Sequence, residues 1–123
     1  LELSEYAKER DALLEQIRNV LEADARVMAA WLSGSFGRGE EDEWSDLDLH
    51  LAIADEHLAE FLEQRAGLYP RVGQRILIQD EMPSDSQARA RFQLVYYPGP
   101  IEVDWNIGPV TETRVVPSSR SIC

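Results

Sequence analysis

WLSGSFGRGEEDEWSDLDLHLAIA, residues 31–54, decides how the rest of the chain is read. A strand-like run ends at Gly34-Ser35, a glycine-rich acidic turn follows, and a second strand opens with Asp46 and Asp48. Residues two apart on a strand point to the same face, about 6–7 Å apart. The two carboxylates therefore share a face beside a backbone loop that could hold phosphates. Leu47, Leu49, Leu51 and Ile53 take the opposite face and form candidate core.

Working outward, residues 26–34 (RVMAAWLSG) are a short apolar run ending in glycine, which predicts a strand buried on both faces. Leu3, Tyr6, Ala7, Leu13, Leu14, Ile17, Val20 and Leu21 have helical spacing over 3–22, with Ser4 as its N-cap. Residues 55–67 predict a second helix, with Asp55 at its start, Gly67 at its end, and a stripe of Leu58, Phe61 and Leu62. A helical turn is expected near 36–39, and a loop or short helix over 83–89. RILIQ (75–79) predicts a strand, and FQLVYY (92–97) and IEVDWNI (101–107) predict a hairpin closed by Pro98-Gly99-Pro100. No strong pattern follows Gly108-Pro109.

The strand over 101–107 alternates Ile101, Val103, Trp105 and Ile107 with Glu102, Asp104 and Asn106. Paired beside the strand of Asp46 and Asp48, it would bring Asp104 to them, since opposed residues on neighbouring strands have Cβ atoms about 4.5–5.5 Å apart. Three carboxylates at such spacing repel one another unless cations sit among them. Two Mg²⁺ ions about 3.5–4 Å apart would satisfy all three.

Composition narrows the function. The 123 residues suffice for one domain with its own core, without disulfides. The single cysteine, Cys123, can form neither an internal disulfide nor a zinc cluster. No charged-then-apolar segment opens the given sequence, and no apolar run in it reaches the ~18–20 residues that span a membrane, so a cytoplasmic protein with no membrane partner is expected. Leu1 in place of Met, and the abrupt SSRSIC end, predict an excerpt of a longer protein. The net charge is −11, and residues 39–63 hold ten acids with no Lys or Arg. An acidic rim repels a nucleic acid and attracts a cation. A nucleic-acid partner is disfavoured, and a small cationic one favoured.

A D-x-D on an alternating strand, or a Gly-Ser at a strand end, is common by itself. Their combination is more specific: Gly34-Ser35, ten residues, Asp46-Leu47-Asp48, then Val103-Asp104-Trp105. The sequence here resembles the nucleotidyltransferase superfamily that includes DNA polymerase beta, whose G-S-x10-D-x-D signature GSFGRGEEDEWSDLD matches. The likeness spans roughly 20–107 and is greatest to the aminoglycoside and lincosamide nucleotidyltransferases, which confer antibiotic resistance. It implies an α/β (α+β) fold, with a mixed sheet of four or five strands and helices packed on one side. It implies transfer of NMP from Mg-NTP, ATP by preference, to a hydroxyl of a small acceptor. Asp46, Asp48 and Asp104 would be catalytic and hold two Mg²⁺, while Gly34 and Ser35 would bind the nucleotide phosphates. Such relatives carry a helical C-terminal domain, and some complete the acceptor pocket with that domain or with a second subunit, so a homodimer also stays open.

Other residues carry bland readings beside functional ones. Arg38 could touch the triphosphate or be an exposed surface arginine. His50 could orient an acid or be half-buried, and His57 is read as solvated. Trp31, Trp44 and Trp105 are read as packing. Ser33 and Ser35 have no evident His/Asp set that would make either a nucleophile. Three alternatives compete: a minimal nucleotidyltransferase antitoxin that modifies a helical toxin partner, a glycosyltransferase, and a non-catalytic binding module. The glycosyltransferase needs about twice the length, and the module is disfavoured because all three acids are present.

Overall fold

The computed structural model describes residues 3–34, 47–72, 77–79, 92–97, 101–112 and 120–122. The expected features at Ser35, Arg38, Trp44 and Asp46, the 36–39 turn, the 83–89 segment and the 98–100 turn lie outside these residues. Helix α1 (Leu3–Glu22) is followed by strands β1 (Val27–Leu32) and β2 (Leu47–Ile53) and a 3₁₀ turn at Asp55–His57. Helix α2 (Leu58–Val72), β3 (Leu77–Gln79), β4 (Phe92–Tyr97) and β5 (Ile101–Pro109) come next. A 3₁₀ turn at Val110–Glu112 and the short β6 (Arg120–Ser121) complete the set.

The strands form one mixed sheet in the order β3-β4-β5-β2-β1-β6. Four longer strands make its centre, and the short β3 and β6 flank them. β2 and β5 are parallel neighbours, with Leu47 opposite Val103, Asp48 opposite Asp104 and His50 opposite Asn106. Every other pair is antiparallel, including the expected β4–β5 hairpin. The chain is thus a mixed α+β fold. Among the described residues, no helix is long and apolar enough to cross a membrane.

One sheet face is the core. Leu47, Leu49, Leu51 and Ile53 of β2 are buried with Val103, Trp105 and Ile107 of β5, Val95 and Tyr97 of β4, and Ala30 and Leu32 of β1. Ile17 and Leu21 of α1, and Phe61, Leu68 and Tyr69 of α2, belong to the same cluster. The two helices therefore cover this face, because each has an apolar stripe that only the sheet can take from water. Tyr69 lies against Trp105 with ring centroids 5.0 Å apart, and the Tyr97 hydroxyl donates to the Tyr69 carbonyl at 3.2 Å.

Local expectations needed correction in several places. Ser4 sits inside the first turn of α1 and not at its N-cap, since the helix already starts at Leu3. Helix α2 does not stop at Gly67 but runs through Pro70 to Val72. Leu68, Tyr69 and Val72 bury their side chains there, and tertiary packing outweighs the weak propensity of Gly and Pro. Asp55, expected at the start of that helix, opens the 3₁₀ turn that leads into it, and the α-helix itself begins at Leu58. The Asp55 carboxylate accepts from the Thr111 hydroxyl at 2.5 Å and the Thr111 N–H at 3.3 Å, tying the 3₁₀ turn before α2 to the one after β5. Strand β1 is buried on both faces only over Ala30–Leu32, and Met28 is 58% exposed. The segment after Pro109, without pattern in the sequence, supplies β6, whose Arg120 and Ser121 pair with Leu32 and Trp31.

A second fixed point lies at the turn before β1. Arg26 donates to both oxygens of Asp24, at 2.9 and 2.7 Å, and reaches Glu60 at 3.0 Å and Gln64 at 2.8 Å. Its guanidinium also stacks over Phe61, 5.0 Å from the ring centroid. These contacts hold Asp24 below the ordinary carboxylate range, chiefly through the hydrogen bond from Arg26.

Candidate functional site

The site is built on the sheet face turned away from the helices. Side chains alternate along a strand, so placing the leucines of β2 in the core turns Asp48 and His50 outward. The same alternation in β5, with Val103, Trp105 and Ile107 inside, turns out Asp104 and Asn106. The parallel register then puts Asp48 beside Asp104, and His50 beside Asn106, on strands about 4.8 Å apart. Both aspartates are half-buried, and Asp104 Oδ1 is closed off from solvent.

Strand β1 brings a third edge. Ser33, one residue past its end, donates its backbone N–H to the Asp48 carbonyl at 2.9 Å. Gly34 follows with φ +66°, a left-handed conformation that side-chain-bearing residues rarely adopt. A Cβ built on Gly34 would lie 3.5 Å from Asp48 Oδ2 and 3.8 Å from Asp48 Cβ. The absence of a side chain thus leaves open the space directly beside one carboxylate oxygen.

A second row lies behind the acids. Trp31 stacks on His50, with centroids 5.4 Å apart and planes 9° from parallel. His50 Nε2 is 2.7 Å from Ser33 Oγ and 4.0 Å from Asp48 Oδ1. Burial pulls the His50 pKa below its usual value, against the opposing pull of Asp48. Asn106 Nδ2 donates toward Leu49 O at 3.1 Å, Asp104 O at 3.3 Å and Asp48 Oδ1 at 3.4 Å.

Of the expected site residues, Gly34, Asp48 and Asp104 come together; Asp46, Ser35 and Arg38 are outside the described residues. Ser33 does have a histidine partner, which the sequence reading missed because it depends on the β1–β2 register. It is not a nucleophile triad, since serine and aspartate both approach the same ring nitrogen, Nε2. Asn106 was also missed. Its signal was present, because it stands two residues after Asp104 as His50 stands after Asp48. Trp31 and Trp105 are both buried, as packing residues should be, and His57 lies half exposed, 3.9 Å from Glu60.

Chemically, two in-register carboxylates beside Gly34, which has no side chain, suit a hard divalent cation with oxygen ligands. Among the described residues, no group of three His, Cys, Asp or Glu is assembled to hold a metal. The described set is the pair Asp48 and Asp104. No protein-family model matches the chain, and no curated protein matches it in sequence.

Proposed function

We propose that this chain is a nucleotidyltransferase that moves a nucleoside monophosphate from an NTP, ATP by preference, to a hydroxyl of a small cationic acceptor. One observation carries the reading: Asp48 and Asp104 stand in register on adjacent parallel strands, beside Gly34 in a left-handed turn. The likeness to the G-S-x10-D-x-D signature, over residues 34–48, supports it too.

In the reaction, the acceptor oxygen bonds to the α-phosphorus, the bond from that phosphorus to the bridging oxygen breaks, and pyrophosphate leaves. Such transfers depend on charge neutralisation and in-line placement more than on covalent help from the protein. Asp48 and Asp104, with Asp46, would hold two Mg²⁺. Bound there, the metals would neutralise the triphosphate and the charge that develops on the attacking oxygen. Asp104 also takes the acceptor proton in this scheme. Gly34 lets the backbone come close to the phosphates, with Ser35 as a hydroxyl donor and Arg38 as a counter-charge. The acids of residues 39–63 favour a polycation such as an aminoglycoside-like acceptor.

Calorimetry of ATP, with and without Mg²⁺, tests the reading on the wild type, Asp48→Asn and Asp104→Asn. The expected result is metal-dependent binding that both substitutions abolish. No binding by the wild type, or equal binding by the variants, would overturn it.

A further inference from the structure

The carboxylate of Asp48 has two unequal oxygens. Oδ1 faces the second row, where Asn106 Nδ2 donates to it at 3.4 Å and His50 Nε2 lies 4.0 Å away. Oδ2 faces the Gly34 turn, 3.5 Å from the point a Cβ there would occupy. The Asn106 amide is itself fixed, because it also reaches Leu49 O on β2 and Asp104 O on its own strand. One side chain thus bridges the two strands that carry the acids and engages one oxygen of Asp48.

From this geometry we infer that Asn106 is a positioning residue, holding Asp48 so that Oδ2 alone is offered to a divalent cation. The inference rests on the nucleotidyl-transfer reading and adds to it a preference among ions. A carboxylate offered through one oxygen suits Mg²⁺ or Mn²⁺, which favour compact octahedral shells. Ca²⁺ accepts bidentate carboxylates within a larger, looser shell. With Asn106 removed, Asp48 is free to turn both oxygens to the ion. The loss should then fall harder on Mn²⁺ than on Ca²⁺.

The test is Mn²⁺ titration of the full chain with ATP present, read by the EPR signal of free Mn²⁺ against a protein-free titration at the same ATP concentration, so that only the binding added by the protein is counted, with Ca²⁺ measured by competition. Asn106→Ala should weaken Mn²⁺ by about 10–100-fold, the usual effect of removing a group that orients a metal ligand. Ca²⁺ should weaken less, so that the Mn²⁺/Ca²⁺ preference falls. Should Asn106→Ala fail to fold, Asn106→Ser, too short to reach Asp48, is read in the same way. Equal losses for both ions mark a merely structural role and overturn the inference, as does unchanged Mn²⁺ affinity. If the wild type binds no Mn²⁺ even with ATP, the nucleotidyl-transfer reading falls and takes this inference with it. Wild-type binding with an unaltered preference in the variants overturns the inference alone.

Discussion

Gly34→Ala separates what the turn does for the fold from what it does for the site. At φ +66°, a residue with a Cβ costs roughly 1–2 kcal/mol more than glycine. Alanine also restricts the unfolded chain, which offsets roughly 0.4–1 kcal/mol of that. Steric clash adds little, because the new Cβ would meet Asp48 Oδ2 at 3.5 Å, an ordinary contact distance. The net loss should be about 1 kcal/mol, or about 3–6 °C in Tm for a domain of this size. Urea unfolding followed by tryptophan fluorescence measures it. Binding of MgATP should fall much further than stability, since the methyl group occupies the space beside Oδ2. Gly34→Asn makes the distinction sharper: asparagine tolerates the left-handed region, so it should recover most of the stability and little of the binding. If Gly34→Ala were as stable as the wild type, the left-handed backbone would have no energetic role. If Gly34→Asn bound MgATP normally, the crowding argument would be refuted.

Asp104→Asn should leave the metal-free protein as stable as the wild type or up to ~1 kcal/mol more so, because it relieves like-charge repulsion across β2 and β5. The rise in Tm that MgATP gives the wild type should vanish in this variant, and differential scanning fluorimetry reads both effects. Trp105→Ala removes a fully buried ring packed on Tyr69 and should cost about 3–5 kcal/mol in chemical denaturation. Asp24→Asn should destabilise the protein at neutral pH by breaking the pair with Arg26. The folded pKa of Asp24 lies below the ordinary 3.8, so the unfolded chain binds the proton first. The stabilisation is complete above that value and is lost as pH falls through the folded pKa. The gap between wild type and Asp24→Asn in unfolding free energy should therefore close in acid, and a gap constant down to pH 2 would contradict the assignment.

The sequence alone determined the elements whose signal is local. Alternation along 47–53 and 101–107 fixed which side chains face the core, and so placed Asp48 and Asp104 on an outward face. The period of 3–22 gave α1, and Pro98-Gly99-Pro100 between two apolar runs gave the β4–β5 hairpin. The parallel pairing of β2 with β5 was anticipated only as a condition, because nothing local states which strands become neighbours across fifty residues. Tertiary structure decided that pairing and its register, and with them the meeting of Asp48 with Asp104 and the bridge made by Asn106. It also decided that α2 continues through Gly67 and Pro70, that Asp55 binds Thr111, and that Ser33 meets His50. Each of these depends on a partner distant in sequence. Burial of a shared core supplies the free energy that selects such partners, and the propensities of single residues are too small to oppose it.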